Sequence, residues 1–338
     1  MNRRSHRKLI LVVLLIVLAL QLTIVYMFAS KQQDKQSASA LISKEKTKVQ
    51  ELAQKAVPAV VYIQVDNNKA GSGVIVSNDG YILTNYHVIS NSKNISARLE
   101  DKRIFNAKLI GSDPQTDVAL IKVEAKNLPT IELGNSDFVE VGDNIMAIGN
   151  PFGFDFTVTT GIISATHREY GPTEYRDFLQ TDASINPGNS GGPLIDMNGK
   201  IVGITTFIVS DVRSGELGFA IPINLIKTIM DMLIKNGKIE RSYLGVSLQD
   251  KVELDSNGNG RIIDGAEIVS FDPKGPAAKS GLKEGDIIVK INDKKITDSN
   301  TLRNYVAYIP VGNNVEVTVL RSNKEMMFNV TSILRPNF

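Results

Sequence analysis

The sequence predicts a mainly β protein of two domains behind an N-terminal membrane helix, and three observations carry that expectation. The first is length: 338 residues correspond to two domains at about 150 residues each. The second is punctuation. Short apolar runs recur at regular spacing with Gly, Asn and Asp between them, the pattern of a β-barrel or sandwich rather than of alternating βα units. The third is an uncharged run from Leu9 to Ala29, LILVVLLIVLALQLTIVYMFA.

As a helix that run is about 30 Å long, enough to cross a bilayer. Arg3, Arg4, Arg7 and Lys8 precede it, so residues 1–8 stay cytoplasmic and the bulk of the chain is exported. A retained anchor is the favoured reading of 9–29. The alternative is a cleaved signal peptide, since Ala38-Ser39-Ala40 resembles a cleavage site. That site lies well past an apolar run already longer than an ordinary signal core. Residues 30–48 are rich in Lys, Gln and Ser and read as a tether.

From residue 49 strands dominate. GSGVIVSNDGYILTNYHVI (71–89) is two apolar runs joined at Asn78-Asp79-Gly80, a hairpin signal. Strands are expected again over 117–123, 144–150, 156–164 and 200–209. Pro222 then opens a helix whose Leu225, Ile226, Ile229, Met232 and Leu233 recur at helical spacing, with Gly237 placed as its C-cap. This helix closes a first domain over 49–236. Residues 237–338 form a second module with its own strands and a helix over 299–309.

Composition excludes several classes of function. With 42% apolar and 22% charged residues the chain can build ordinary cores. There is no cysteine, which removes disulfides, thiol nucleophiles and Cys-based metal sites. The net charge is +2, and with no long basic tract beyond the N-terminus neither a nucleic-acid partner nor a cofactor or metal is expected. DSNGNG (255–260) fits the start of an EF-hand loop, but its twelfth position is Ala266 and Glu267 falls one residue late. A polar hairpin tip is the better reading.

The chemistry gathers around Ser190 in TDASINPGNSGGPLID (181–196), where Gly188, Gly191 and Gly192 frame a single hydroxyl. The stretch formally matches the nucleophile elbow G-x-S-x-G, but that fold needs a helix after the serine and a histidine downstream. The three histidines, His6, His87 and His167, all precede Ser190. A serine nucleophile needs a base oriented by a carboxylate. His6 is on the cytoplasmic side and His167 sits in a polar loop, leaving His87, at the end of a strand in LTNYHVI. Asp117, at the mouth of the strand DVALIKV, suits the orienting role. Asp182 is the competitor and is better read as supporting the loop that leads to the serine, as Asp113 before Pro114 reads as a turn.

The order His87, Asp117, Ser190 is that of chymotrypsin. With TNYHVI, TDVALIKV and NPGNSGGPL in place, the chain resembles the HtrA/DegP/DegS family of bacterial serine proteases from about residue 49 onward. The resemblance implies a two-barrel trypsin/chymotrypsin-like protease domain followed by a PDZ domain. It implies His87 as general base, Asp117 as its orienter and Ser190 as nucleophile. The oxyanion hole falls to the N–H groups of Gly188 and Ser190, with that of Asn189 beside them. Thr173, Ile185, Ile204 and Thr206 are the expected pocket residues. Ser184 stands where a trypsin-like enzyme carries an acid, so a small or medium apolar P1 residue such as Val or Ala is expected.

RSYLGVSL (241–248) resembles the carboxylate-binding loop of a PDZ domain, where the N–H groups of Leu244, Gly245 and Val246 capture a peptide C-terminus. Leu302 and Val306 are expected to border the groove, with Asn304 on its rim. One anchor and one PDZ domain resemble the DegS type. That type implies a homotrimer at the bacterial inner membrane, facing the periplasm. It binds C-termini of unassembled outer-membrane proteins and cleaves an anti-sigma factor of the RseA type, with Arg168 as the regulatory-loop arginine. General quality control of exported proteins and a peptide-binding scaffold are the alternatives.

Overall fold

The computed structural model describes residues 21–27, 30–31, 47–66, 69–150, 156–169, 177–211, 215–254 and 260–336. The chain divides into two compact units, Met1–Gln50 and Glu51–Phe338. In the first, residues 21–27 are helical and carry exposed Leu22, Ile24, Val25, Tyr26 and Met27. Most of the expected span 9–29 and of the tether 30–48 lies outside the described residues. Among the described residues no helix is long and apolar enough to cross a membrane.

The second unit opens within helix α1 (Lys48–Ala56), whose Leu52 and Ala56 are buried. Strands β1 (Val60–Val65), β2 (Ala70–Ile75), β3 (Tyr81–Asn85), β4 (Ile95–Arg98), β5 (Ile104–Asp113) and β6 (Val118–Val123) close a barrel in the order β1-β2-β3-β6-β5-β4. Alternate residues fill it: Ala119, Ile121 and Val123 of β6 meet Ile63, Ile75 and Ile82 in one core. The expected hairpin at 78–80 is the β2–β3 turn, where Gly80 takes the left-handed φ of 106°.

The same pattern continues. Strands β7 (Asn144–Gly149), β8 (Thr157–Arg168), β9 (Phe178–Thr181), β10 (Pro193–Asp196), β11 (Ile201–Asp211) and β12 (Gly215–Pro222) close a second barrel, ordered β10-β11-β12-β9-β8-β7. Its core includes Ile145, Ala147, Ile163, Leu179 and Leu194. Between β3 and β4 the chain makes a one-turn helix, α2 (Tyr86–Ile89). His87 therefore sits on a helical turn just past its strand, not on the strand end that the sequence suggests.

Helix α3 (Ile223–Asn236) buries Ile226, Ile229 and Leu233, a single face at helical spacing. That face packs on β5 and β6 of one barrel and β11 and β12 of the other, so the helix straps the barrels together. Gly237 ends it at φ 68°, its N–H donating to the Leu233 carbonyl at 2.9 Å.

Beyond it, β13 (Ser242–Tyr243) pairs with β20 (Ile333–Leu334). Strands β14 (Val246–Leu254), β15 (Gly260–Phe271), β16 (Ile287–Ile291), β17 (Lys294–Lys295), β18 (Asn314–Arg321) and β19 (Lys324–Thr331) make one six-stranded sheet. Its separate core holds Leu244, Ile268, Ile288, Val317 and Leu302. Helix α4 (Ser299–Ala307) is capped by Asp298, whose carboxylate accepts the Thr301 N–H at 2.7 Å. The tip 255–259 that mimics a calcium loop lies outside the described residues.

Candidate active site

The seam between the barrels joins His87 to Asp117 by hydrogen bonds and holds Ser190 on the other side of β2's Gly71, with no His87–Ser190 hydrogen bond among the described residues. Asp117 is buried at the entrance to β6 in the left-handed region, φ 62°. Its own carbonyl accepts Tyr86 N–H at 3.1 Å and Asn85 Nδ2 at 3.0 Å, tying the turn before β6 to α2. The side chain then meets three donors. Oδ1 accepts the backbone N–H of His87 at 2.9 Å, and Oδ2 accepts both His87 Nδ1 at 2.7 Å and Thr206 Oγ1 at 2.6 Å. An ionised carboxylate only accepts, so the proton between it and the ring belongs to Nδ1. The other ring nitrogen, Nε2, keeps its lone pair. That is the tautomer a general base requires.

Ser190 reaches the same seam through β2. The Ser72 N–H donates to the Ser190 carbonyl at 2.8 Å, and Ser72 Oγ donates to the Gly188 carbonyl at 2.6 Å. Gly71 marks the convergence: a Cβ there would lie against both Val88, next to His87, and the Ser190 carbonyl. Behind the serine, Thr205 Oγ1 donates to the Asn189 carbonyl at 2.7 Å and Gly191 N–H donates to the Thr205 carbonyl at 2.8 Å. Gly191 itself has φ 87°, and a Cβ there would fall on the Ser72 carbonyl oxygen, so no other residue fits.

The loop before Ser190 is a turn over Asn186-Pro187-Gly188-Asn189, closed by Asn189 N–H donating to the Asn186 carbonyl at 2.9 Å. Gly188 has φ 105°. Proline at the second position and a positive φ at the third make this a type II turn, which only glycine adopts readily there. Among the described residues neither the Gly188 nor the Ser190 N–H is bonded to a backbone carbonyl. Both are free to donate to a developing oxyanion. Asn189 is different: its N–H is spent within the turn, and its side chain is buried with neither polar atom bonded.

The remaining candidates distribute as follows. Thr206, expected in the pocket, is buried behind Asp117 as the third donor to its carboxylate. The alternation of β11 sends its hydroxyl into the seam, and the sequence carried no sign of that partner. Ile185 belongs to the core of the second barrel, and Ile204 is closed off opposite Pro193 and Ile221. Thr173 lies outside the described residues. Asp182 accepts the Ile162 N–H at 2.7 Å, pinning the loop to β8. Ser72, in the sequence Gly71-Ser72-Gly73, was missed; a serine between two strand glycines is the signal that could have found it.

In the second module, Leu244, Leu302 and Val306 are buried in the core, with Val246 packed against it and Gly245 at φ 79°. Asn304 is not on the rim of the loop side; it faces the protease domain beside Thr301, Tyr305 and Tyr308. Helical spacing turns Asn304 to the face opposite Leu302 and Val306, whereas Tyr305 also packs against their core. Arg168 Nε donates to Gln180 Oε1 at 2.9 Å within the second barrel, while the next residue, Glu169, contacts Asn300 of α4. A buried cluster also joins the modules: Arg241 Nη2 donates to Asp113 Oδ1 at 2.6 Å and Oδ2 at 2.7 Å, with the Tyr308 hydroxyl at 3.4 Å. Asp113 thus does more than make the expected turn, although its Oδ1 also accepts Gln115 N–H at 3.3 Å.

Comparison with known proteins agrees with this arrangement. Residues 71–204 match the model of the trypsin-like peptidase domain and residues 242–331 that of the PDZ domain. The solved structure of HtrA-type protease AlgW with tripeptide is 40% identical, superposes with a TM-score of 0.71, and covers 86% of this chain and 98% of that one. This chain belongs to the HtrA-type serine proteases. A second HtrA-type structure, the serine endoprotease from Yersinia pestis, is 37% identical at a TM-score of 0.63, covering 87% of this chain and all of that one, 100%. Among curated HtrA-type relatives, the probable periplasmic serine endoprotease DegP-like of Marinomonas sp. (strain MWYL1) is 45% identical over 278 residues, 81% of this chain and 59% of the relative. The corresponding protein of Chlamydia muridarum is 44% identical, covering 77% of this chain and 53% of its own. The chain therefore spans little more than half the length of these curated relatives.

Proposed function

We propose that this HtrA-type protein is a serine endopeptidase in which Ser190 is the nucleophile, His87 the general base and Asp117 the group that orients it. The observation that carries this is the 2.7 Å bond from His87 Nδ1 to Asp117, which leaves Nε2 as the basic nitrogen of the ring. Ser190 Oγ loses its proton to Nε2 as it attacks a peptide carbonyl. The resulting oxyanion takes hydrogen bonds from the Gly188 and Ser190 N–H groups, each worth about 3 kcal/mol. The imidazolium, stabilised by Asp117, returns the proton to the leaving amine, and water repeats the sequence on the acyl-enzyme.

The organisation we propose is a cytoplasmic tail over 1–8, a membrane anchor over 9–29, a linker over 30–48, a periplasmic protease domain over 49–236 and a PDZ domain over 237–338. The PDZ loop at Leu244, Gly245 and Val246 would take the C-termini of unassembled outer-membrane proteins. AlgW has been solved with a tripeptide and with a decapeptide, which supports peptide binding by this module. The Glu169–Asn300 and Arg241–Asp113 contacts between the domains provide a route by which occupancy would alter the active site of a homotrimer that cleaves an RseA-type anti-sigma factor. To move an inactive population decisively, a peptide must bind the active form about 10⁴-fold better.

A second reading, constitutive quality control of exported proteins, is favoured by one observation: among the described residues the Gly188 and Ser190 N–H groups are already unbonded to any backbone carbonyl. The test is cleavage of an RseA-like periplasmic segment by the full chain, with and without a peptide ending in an outer-membrane-protein C-terminus. Peptide-dependent cleavage supports gating; equal cleavage supports quality control and sinks the gated reading.

A further inference from the structure

A cavity of about 290 Å³ lies between the protease domain and helix α4, apart from both the triad and the PDZ loop. Val139, Leu179, Pro222 and Leu225 give its protease side an apolar floor, and His167, Asp177, Lys294 and Tyr305 supply polar walls from both domains. His167 Nδ1 is bonded to Asp177 Oδ1 at 2.9 Å, so its other nitrogen is unspent. The Lys294 charge is felt at that ring, as is that of Asp298. Asn304, on the α4 wall, keeps a buried carboxamide nitrogen with no acceptor. Asp137 also lines the cavity and, like His167, is exposed, so water screens both, whereas Lys294 is partly buried.

We infer that this cavity binds a small monocarboxylate with an apolar body, the carboxylate held by Lys294 and by the Nε2–H of His167 as imidazolium, the form in which both ring nitrogens donate. Ligand sites favour domain boundaries, an apolar lining and a few convergent polar groups. Cations from both domains converge over an apolar floor, and Asp177 already spends an oxygen on His167. An occupant touching both walls binds only the docked arrangement and stabilises it by its differential affinity.

The probe is labelled phenylacetate, measured by equilibrium dialysis against the full chain, with phenethyl alcohol and phenethylamine as matched competitors. The expected result is saturable binding that neither competitor displaces at equal concentration. Binding should be at least about tenfold weaker in Lys294→Met and in His167→Gln, and unchanged in Ser190→Ala. A peptide ending in an apolar residue, directed at the PDZ loop, should leave it unaffected. Displacement by the alcohol, displacement by the peptide, or full binding in both variants would each overturn the assignment.

Discussion

Arg241→Met should destabilise the protein by about 3 kcal/mol, and the figure follows from where the charge is left. Asp113 is 2% exposed and Arg241 14%, so water screens neither. Removing one partner of such a pair costs about 3–5 kcal/mol, because the other charge stays buried without compensation. Asp113 would keep the Thr116 hydroxyl at 2.8 Å, the Gln115 N–H at 3.3 Å and the Tyr308 hydroxyl at 3.4 Å. Those neutral donors place the cost at the lower end of that range. Removing both charges, in Arg241→Met with Asp113→Leu, should recover most of the loss, since an apolar pair of similar volume has no charge to strand. Urea denaturation followed by far-UV circular dichroism measures this, fitted with two transitions if the domains unfold separately. A cost below about 1 kcal/mol for the single variant, or a double variant weaker than the single, would refute the reasoning that this is a desolvated pair.

Three further outcomes are expected. Gly188→Ala must either hold a strained φ of 105° or flip its peptide and withdraw an oxyanion donor; kcat should fall about 100-fold with KM little changed. Thr206→Val removes a 2.6 Å bond to the Asp117 carboxylate, and kcat should drop while Tm falls by a few degrees, a loss of about 1.5–3 kcal/mol; a variant with native kcat would show that Thr206 is only filler. The hydrogen bond that His167 donates to the Asp177 carboxylate holds the His167 pKa above the ordinary imidazole value. The stabilisation is therefore fully present below that ordinary value and is lost as pH rises through the raised one. His167→Gln should be less stable than the native protein in acid and match it in alkali, read as Tm against pH.

Much of this was legible in the sequence because the catalytic requirement is local. Of three histidines only His87 directly follows an apolar run, which left it as base, although the polar loop expected at His167 is the end of β8; glycines around one hydroxyl marked Ser190. Strand patterning and the Pro222 to Gly237 helix gave both domains, since amphipathic spacing and caps are written in neighbouring residues. What stayed hidden depends on pairings between distant positions. Arg241 and Asp113 are separated by 128 residues, and Thr206 and Asp117 by 89; neither pair has a signature in composition or period. The pocket residues Ile185 and Ile204 went the same way. An apolar side chain near a serine reads alike whether it walls a pocket or fills a barrel, and only the barrel's closure shows that these two are inside.

The serine chemistry itself is tested most directly by covalent capture. The full chain would be treated with diisopropyl fluorophosphate and the modified residue located by mass spectrometry, alongside cleavage of an unfolded protein substrate by the native chain, Ser190→Ala and His87→Ala. The account predicts a single adduct on Ser190, lost in Ser190→Ala and strongly slowed in His87→Ala, with cleavage abolished in both variants. Cleavage that survives in Ser190→Ala, or an adduct on another residue, would contradict it.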